Sequence, residues 1–271
     1  MLEVANGSAK PYRDAVSSAV PAEAVAPATT PPDFSICTLV TSHAQYAAMR
    51  ASFLAGGFGP RCAEYLHLDN TAGNRWDAYG GIRAMLAEAR GRHVILCHQD
   101  VRLIEDGACA LRRIIAALDA KDPRWAIAGN AGATKAGDFV HHISDPFGEN
   151  RQAGILPARV VSLDENFLLL RRDAGLTPSS ELAGFHLYAT DLCLHARRAG
   201  RTAWVVDFHL RHLSAGRVDT GFFAVQAAFE RHWGAKFGRT EQLRTPSTRL
   251  TLGVGLFGRM LAAWRRHRRR R

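Results

Sequence analysis

An apolar run, His93-Val-Ile-Leu-Cys97, ends on His98-Gln99-Asp100. A carboxylate just past a buried strand stands where open α/β sheets bind ligands, outside the carboxyl ends of their strands. Asp100 there reads in two ways: as a ligand for a metal or phosphate, or as a cap for the helix that follows. Three further polar clusters end apolar runs: Thr41-Ser42-His43, Asp69-Asn70, and His209 with His212. In a parallel sheet such ends converge on one rim, which makes a shared site geometrically possible. His209 and His212 face opposite sides of an extended segment, and His209 is read as structural. Asp191 lies in a helix among Leu187, Leu192, Cys193 and Leu194. Partly apolar surroundings of that kind raise a carboxyl pKa toward use as a general base. The competing reading is a first-turn acid that complements the helix dipole.

No GxxxxGK[ST] or GxSxG motif occurs, and no GxGxxG opens a βα unit of the globular part; the one such string, Gly253-Val-Gly-Leu-Phe-Gly258, lies in the tail. Dinucleotide dehydrogenases, P-loop enzymes and α/β-hydrolases are therefore disfavoured.

The elements that must carry these clusters follow from periodicity. Strands are expected at 34–40, 64–68, 93–97 and 125–128, alternating with helices at 44–55, 76–90 and 106–120. That alternation is the pattern of βαβ units and a parallel sheet. Residues 129–157 show no pattern and are expected to form a long loop, read either as a lid or as variable surface. Strands at 159–163 and 166–171 flank Asp164-Glu165. A helix at 185–198, a strand at 203–206 and a helix at 222–233 complete the globular part.

The chain has 271 residues, 47% of them apolar, enough for one large or two small domains. Its five cysteines are scattered without zinc spacing and suit reduced core positions in a cytosolic protein. The N-terminus has no signal-peptide pattern, and no stretch reaches the ~18 apolar residues of a spanning helix. Residues 1–32, rich in Ala, Pro, Ser and Thr, are expected to be a disordered leader. The net charge of +10 is concentrated at the end, where Arg265, Arg266 and Arg268–Arg271 supply six charges. Residues 239–271 read as a basic amphipathic tail suited to the surface of an anionic membrane. Nucleic-acid binding and a merely solvated terminus are the other readings of that tail, the former without a supporting module.

Three segments resemble family-2 glycosyltransferases, most closely the streptomycin-biosynthesis glycosyltransferase-like branch. They are His98-Gln99-Asp100-Val101, Phe185-His-Leu-Tyr-Ala-Thr-Asp-Leu-Cys-Leu194 and His212-Leu-Ser214, and the resemblance covers Phe34 to Trp233. It implies an α/β domain over 33–238 with the GT-A fold, a Rossmann-like, mostly parallel sheet flanked by helices. It also implies a UDP- or GDP-linked sugar donor, an acceptor hydroxyl, and Mn²⁺ or Mg²⁺. By position, Asp100 would bind the metal, with His98 in place of the family's first Asp and His212 completing the site or contacting the diphosphate. One carboxylate suffices for a hard ion when phosphates supply the other ligands. Thr41, Asp69, Asn70, His98 and Gln99 would seat the nucleotide; the competing readings are a tight turn for Asp69-Asn70-Thr71 and, for His98, a histidine that orients Asp100. Asp164 and Glu165 would contact sugar or acceptor, with Glu165 standing where the family has Gly, and His186 and Tyr188 would line the same cavity. Asp191 would be the base of an inverting transfer. Other classes stay open on this fold: a metal-dependent sugar nucleotidyltransferase, or a non-catalytic binding module at a membrane surface. The expected location is cytoplasmic, peripheral on the inner face of the membrane, with no nucleic-acid partner.

Overall fold

The computed structural model describes residues 11–13, 30–216 and 220–253. The chain begins with β1 (Tyr12–Arg13) and β2 (Phe34–Val40). α1 (His43–Ala55), β3 (Ala63–Asp69), α2 (Ala78–Glu88) and β4 (His93–Cys97) follow. β5 (Val101–Leu103), α3 (Ala108–Lys121), β6 (Trp125–Gly129) and β7 (Ala131–Ala133) come next. Then come β8 (Phe139–Asp145), β9 (Gly148–Ala153), β10 (Ala158–Val160), β11 (Ser162–Leu163) and β12 (Phe167–Arg171). The last elements are α4 (Tyr188–Arg198), β13 (Thr202–Val205), β14 (Leu210–His212), α5 (Thr220–Gly234), β15 (Glu241–Arg244) and β16 (Arg249–Leu252).

Eight strands form the main sheet in the order β1-β3-β2-β4-β12-β6-β13-β10. Its central strands are apolar runs because both faces are covered. Cys37, Leu96, Leu168 and Leu170 face a core shared with α2, α4 and α5. Ile36, Ile95, Phe167 and Leu169 alternate to the other face, against α1 and α3. Each buried leucine contributes roughly 1.5–3 kcal/mol, which is why Leu168-Leu169-Leu170 lies at the sheet's centre.

The sheet is mixed, where the sequence led us to expect a mostly parallel one. β3, β2 and β4 are parallel, but β12 runs antiparallel to both of its neighbours, β4 and β6. β13 is parallel to β6, and β10 closes the edge antiparallel.

Residues 129–157 are likewise not a loop. They hold β7, β8 and β9 within a second sheet, ordered β11-β7-β8-β14-β5 with β9 beside β8. β8 reads Phe-Val-His-His-Ile-Ser-Asp and is polar on both faces, so it carries no period-2 apolar signal. Residues 241–252, expected to belong to the tail, form an antiparallel hairpin instead. Its Leu243, Leu250 and Leu252 join the core beneath α5. The globular part thus extends past residue 238, and the tail residues 254–271 lie outside the described residues, as does most of the leader. No helix among the described residues is long and apolar enough to cross a membrane.

Candidate functional site

The end of β4 is held twice. The His98 N–H donates to the Asn166 carbonyl at 3.0 Å, and a turn closed by Val101 N–H on the His98 carbonyl leads into β5. β5 then pairs antiparallel with β14 so that Val101 lies opposite His212. The Leu213 N–H donates to the Asp100 carbonyl at 3.1 Å. Strand pairing, and not proximity in sequence, therefore brings His212 to Asp100.

The side chains meet. His212 Nε2 lies 3.4 Å from Asp100 Oδ1, and His98 Nδ1 lies 4.0 Å from the same oxygen. His98 Nδ1 and His212 Nε2 are 3.4 Å apart. All three potential ligand atoms fall within 4.8 Å of one another. Burial pushes the Asp100 carboxyl up, but the hydrogen bond and charge of His212, with Ser214 and His98, hold it well below the ordinary range. Burial lowers His212, yet its bond to Asp100 and that carboxylate's charge leave it raised. Burial, aided by the charge of His212, pulls His98 down to about 4. Within the cluster His98 thus favours its neutral form, whereas His212 and Asp100 each favour the charged form. Two imidazole nitrogens and one carboxylate oxygen within reach of one another can serve as ligands of one divalent cation.

The cluster forms part of the wall of a cavity of ≈ 810 Å³. Thr41, Asn70, His98, Gln99, Asp100, Asp164, Glu165, His186, Tyr188 and His212 all reach this cavity; Asp69 and Asp191 do not. Several of the polar groups expected to bind ligand are partnered internally. The Gln99 carboxamide accepts from the N–H groups of Thr41 and Ser42 at 2.9 and 2.8 Å and donates to Thr41 Oγ1 at 2.6 Å. It clamps the ends of β4 and β2 together. The buried Asn70 side chain exchanges hydrogen bonds with the Trp76 main chain, closing the loop before α2. Asp69 accepts from Thr71 N–H at 2.8 Å and Thr71 Oγ1 at 2.6 Å, a turn geometry that lowers its pKa. The His186 ring packs edge-on against Phe222 at 5.1 Å.

Asp191 requires a correction. Its carboxylate is fully buried and turned away from the cavity. It accepts from Ser179 N–H at 2.7 Å, Ser179 Oγ at 2.9 Å and Trp233 Nε1 at 2.7 Å. These bonds occupy the carboxylate and leave it no route to an acceptor in the cavity.

Glu165, unlike Asp191, is on the cavity wall. Burial, with the charge of Asp164, pushes it up to about 8, partly offset by N–H groups of Leu187, Tyr188 and Ala189 at the start of α4. Its Oε1 is buried without a partner, as is Oδ1 of Asn166. Asn166 escaped the sequence reading; its Nδ2 donates to Asp164 at 2.6 Å, which orients the unpaired oxygen. The Asp-x-Asn spacing, which favours a side-chain-closed turn, was the available signal. Asp145 and Arg151, also on the wall and paired at 2.9 Å, lie in the region taken for a loop.

β8 divides its residues between two sites. His141, Ile143 and Asp145 face the cavity, whereas His142 and Ser144 face a second cleft of ≈ 410 Å³ that also holds His209. There His142 and His209 stack at 4.4 Å, and Ser144 Oγ bonds His209 Nε2 at 2.9 Å. His209 thus lies on the other side of β14 from His212, as its spacing indicated.

Fold and site define a mixed α/β protein with a His–Asp–His cluster at its strand ends. The chain belongs to the family of "ATP synthase subunits region ORF 6" of Fuscovulum blasticum, to which it is 38% identical over 231 residues, covering 83% of this chain and 92% of that protein. That description assigns no activity. No protein-family model matches the chain. Among solved structures, A197 from STIV is 10% identical with a TM-score of 0.41, covering 82% of this chain and 95% of that one. S. aureus TarS 1-349 in complex with UDP-GlcNAc is 11% identical with a TM-score of 0.43, covering 72% of this chain. GalNAc-T7 with UDP, GalNAc and Mn²⁺ is 8% identical with a TM-score of 0.44, covering 77% of this chain. The chain spans 64% of the TarS fragment and 51% of the GalNAc-T7 chain. At such TM-scores these likenesses assign nothing to this protein.

Proposed function

We propose that the protein is a metal-dependent glycosyltransferase that moves a sugar from a nucleoside-diphosphate donor to an acceptor hydroxyl with inversion. The observation that supports this is the convergence of His98, Asp100 and His212 within 4.8 Å on the wall of a cavity of ≈ 810 Å³. His98 Nδ1, Asp100 Oδ1 and His212 Nε2 would hold a divalent ion, with its remaining positions left to the diphosphate. When bound, that ion stabilises the charge developing on the leaving diphosphate.

The base in this reading is Glu165 in place of Asp191. Glu165 lines the cavity, its Oε1 lacks a hydrogen-bond partner, and a carboxyl poised near pH 8 is matched, in its ionised form, to taking a proton from a hydroxyl. As the acceptor oxygen bonds to the anomeric carbon, Glu165 Oε1 takes the hydroxyl proton. The bond from that carbon to the diphosphate oxygen breaks, and its electron pair leaves with the phosphate. Asp164 holds Asn166, and through it the turn that carries Glu165.

Calorimetric titration with UDP- and GDP-linked sugars, with and without Mn²⁺, tests the reading. Metal-dependent binding of one nucleotide class, lost in Asp100→Ala, is expected. A folded parent that binds none of them with Mn²⁺ present would overturn it.

A further inference from the structure

The Tyr188 hydroxyl lies 2.9 Å from His98 Nε2 and 3.1 Å from the main-chain carbonyl oxygen of Glu165. A phenol has one proton to donate, and a carbonyl oxygen can only accept. The Tyr188 proton therefore goes to Glu165, and the contact with His98 is a hydrogen bond donated by Nε2–H to the phenolic oxygen. The reverse arrangement would set two oxygens 3.1 Å apart with no proton between them, one of them the Glu165 carbonyl. A neutral ring with its proton on Nε2 carries its lone pair on Nδ1. Nδ1 is the atom that faces His212 and Asp100.

We infer that Tyr188 is a positioning residue: with the Glu165 carbonyl it fixes His98 as the Nε2–H tautomer and turns the Nδ1 lone pair into the His–Asp–His cluster. The backbone supports this placement. Leu187, which precedes Tyr188, has φ 68° and ψ 6°, a left-handed conformation that costs a non-glycine residue of order 1–3 kcal/mol and persists only where its surroundings over-determine it. Glu165 helps to do so from both ends, with its carbonyl on Tyr188 and its carboxyl at the N–H groups of residues 187–189. The outer nitrogen of a ligating histidine is commonly fixed by such a partner, and removing the partner typically weakens metal binding 10–100-fold. The purpose of this arrangement rests on the metal reading above; the tautomer does not.

The test is long-range ¹H–¹⁵N NMR of the metal-free protein with ¹⁵N-labelled histidine, the His98 signals being assigned with His98→Gln. The parent should show His98 protonated at Nε2. Tyr188→Phe, which keeps the ring and removes the hydroxyl, should give a mixture of tautomers and weaken Mn²⁺ binding about 10–100-fold. A parent protonated at Nδ1 overturns the inference without any variant. So does a folded Tyr188→Phe protein with unchanged tautomer and Mn²⁺ affinity. If the parent shows the Nε2–H tautomer but binds no Mn²⁺, the metal reading fails while Tyr188 keeps its effect on the tautomer.

Discussion

The indole of Trp233 donates a 2.7 Å hydrogen bond to the carboxylate of Asp191, joining α5 to α4 inside the protein. With the two bonds from Ser179, it makes Asp191 a structural tie between three segments distant in sequence. Asp191→Asn replaces one acceptor oxygen with a donor that opposes another. The expected result is a loss of about 2–4 kcal/mol and a Tm lower by roughly 5–15 °C for a chain of this size. The folded fraction should keep its Mn²⁺ affinity. A catalytic base would show the opposite pattern, with turnover lost at unchanged Tm.

Glu165 makes stability depend on pH in a defined direction. Its folded pKa of about 8 lies above the ordinary 4.5. The folded protein therefore retains a proton that the unfolded chain has released, and stability falls as pH rises between these values. Glu165→Gln should remove that slope and raise Tm by a few degrees at pH 8.5, with little change at pH 4. Thermal unfolding of both proteins across this range checks it.

Metal binding should follow the proton on His212. That proton lies against Asp100 and must leave before Nε2 can ligate a cation. Because the His212 pKa is raised above 6.5, Mn²⁺ affinity should still be climbing at pH 6.5, by up to about tenfold per pH unit. A titration that is flat from pH 6 to 8 would contradict the proposed ligand set.

Gly107 precedes α3 where the chain passes the end of α1. A Cβ there would lie 2.2 Å from the Gly56 carbonyl oxygen, which already accepts from Ala108 N–H at 2.8 Å. Backbone on both sides leaves nothing to rotate away. Gly107→Ala should destabilise by about 2 kcal/mol or more, measured by denaturant unfolding.

Much of this architecture is legible without coordinates. Strands 34–40 and 93–97 are readable to the residue, because a strand buried on both faces is a mostly apolar run, broken in the first only by the small polar Ser35 and Thr38. The direction of β12 is not, since Leu168-Leu169-Leu170 indicates burial and says nothing about which way the chain travels. β8 is concealed because polar residues fall on both of its faces. In the site, His98, Asp100 and His212 are readable from their places at strand ends. Asp191 and Glu165 exchange standing because an acid in a helix's first turn has the same local sequence whichever way it points. Its partners Ser179 and Trp233 lie 12 and 42 residues away, beyond any local pattern.

The antiparallel strand at the middle of the sheet also bears on how the protein is made. β4 and β6 are synthesised before β12, the strand that lies between them, so they cannot be joined until residue 171 has been added. Until then each presents an unpaired apolar edge, the kind of surface that draws in a neighbouring chain. The core stays open until the leucines of the 241–252 hairpin arrive. A protein cut at residue 238 would lack that closure. Even the longer chain should fold slowly, after synthesis is nearly complete, with aggregation as the competing fate.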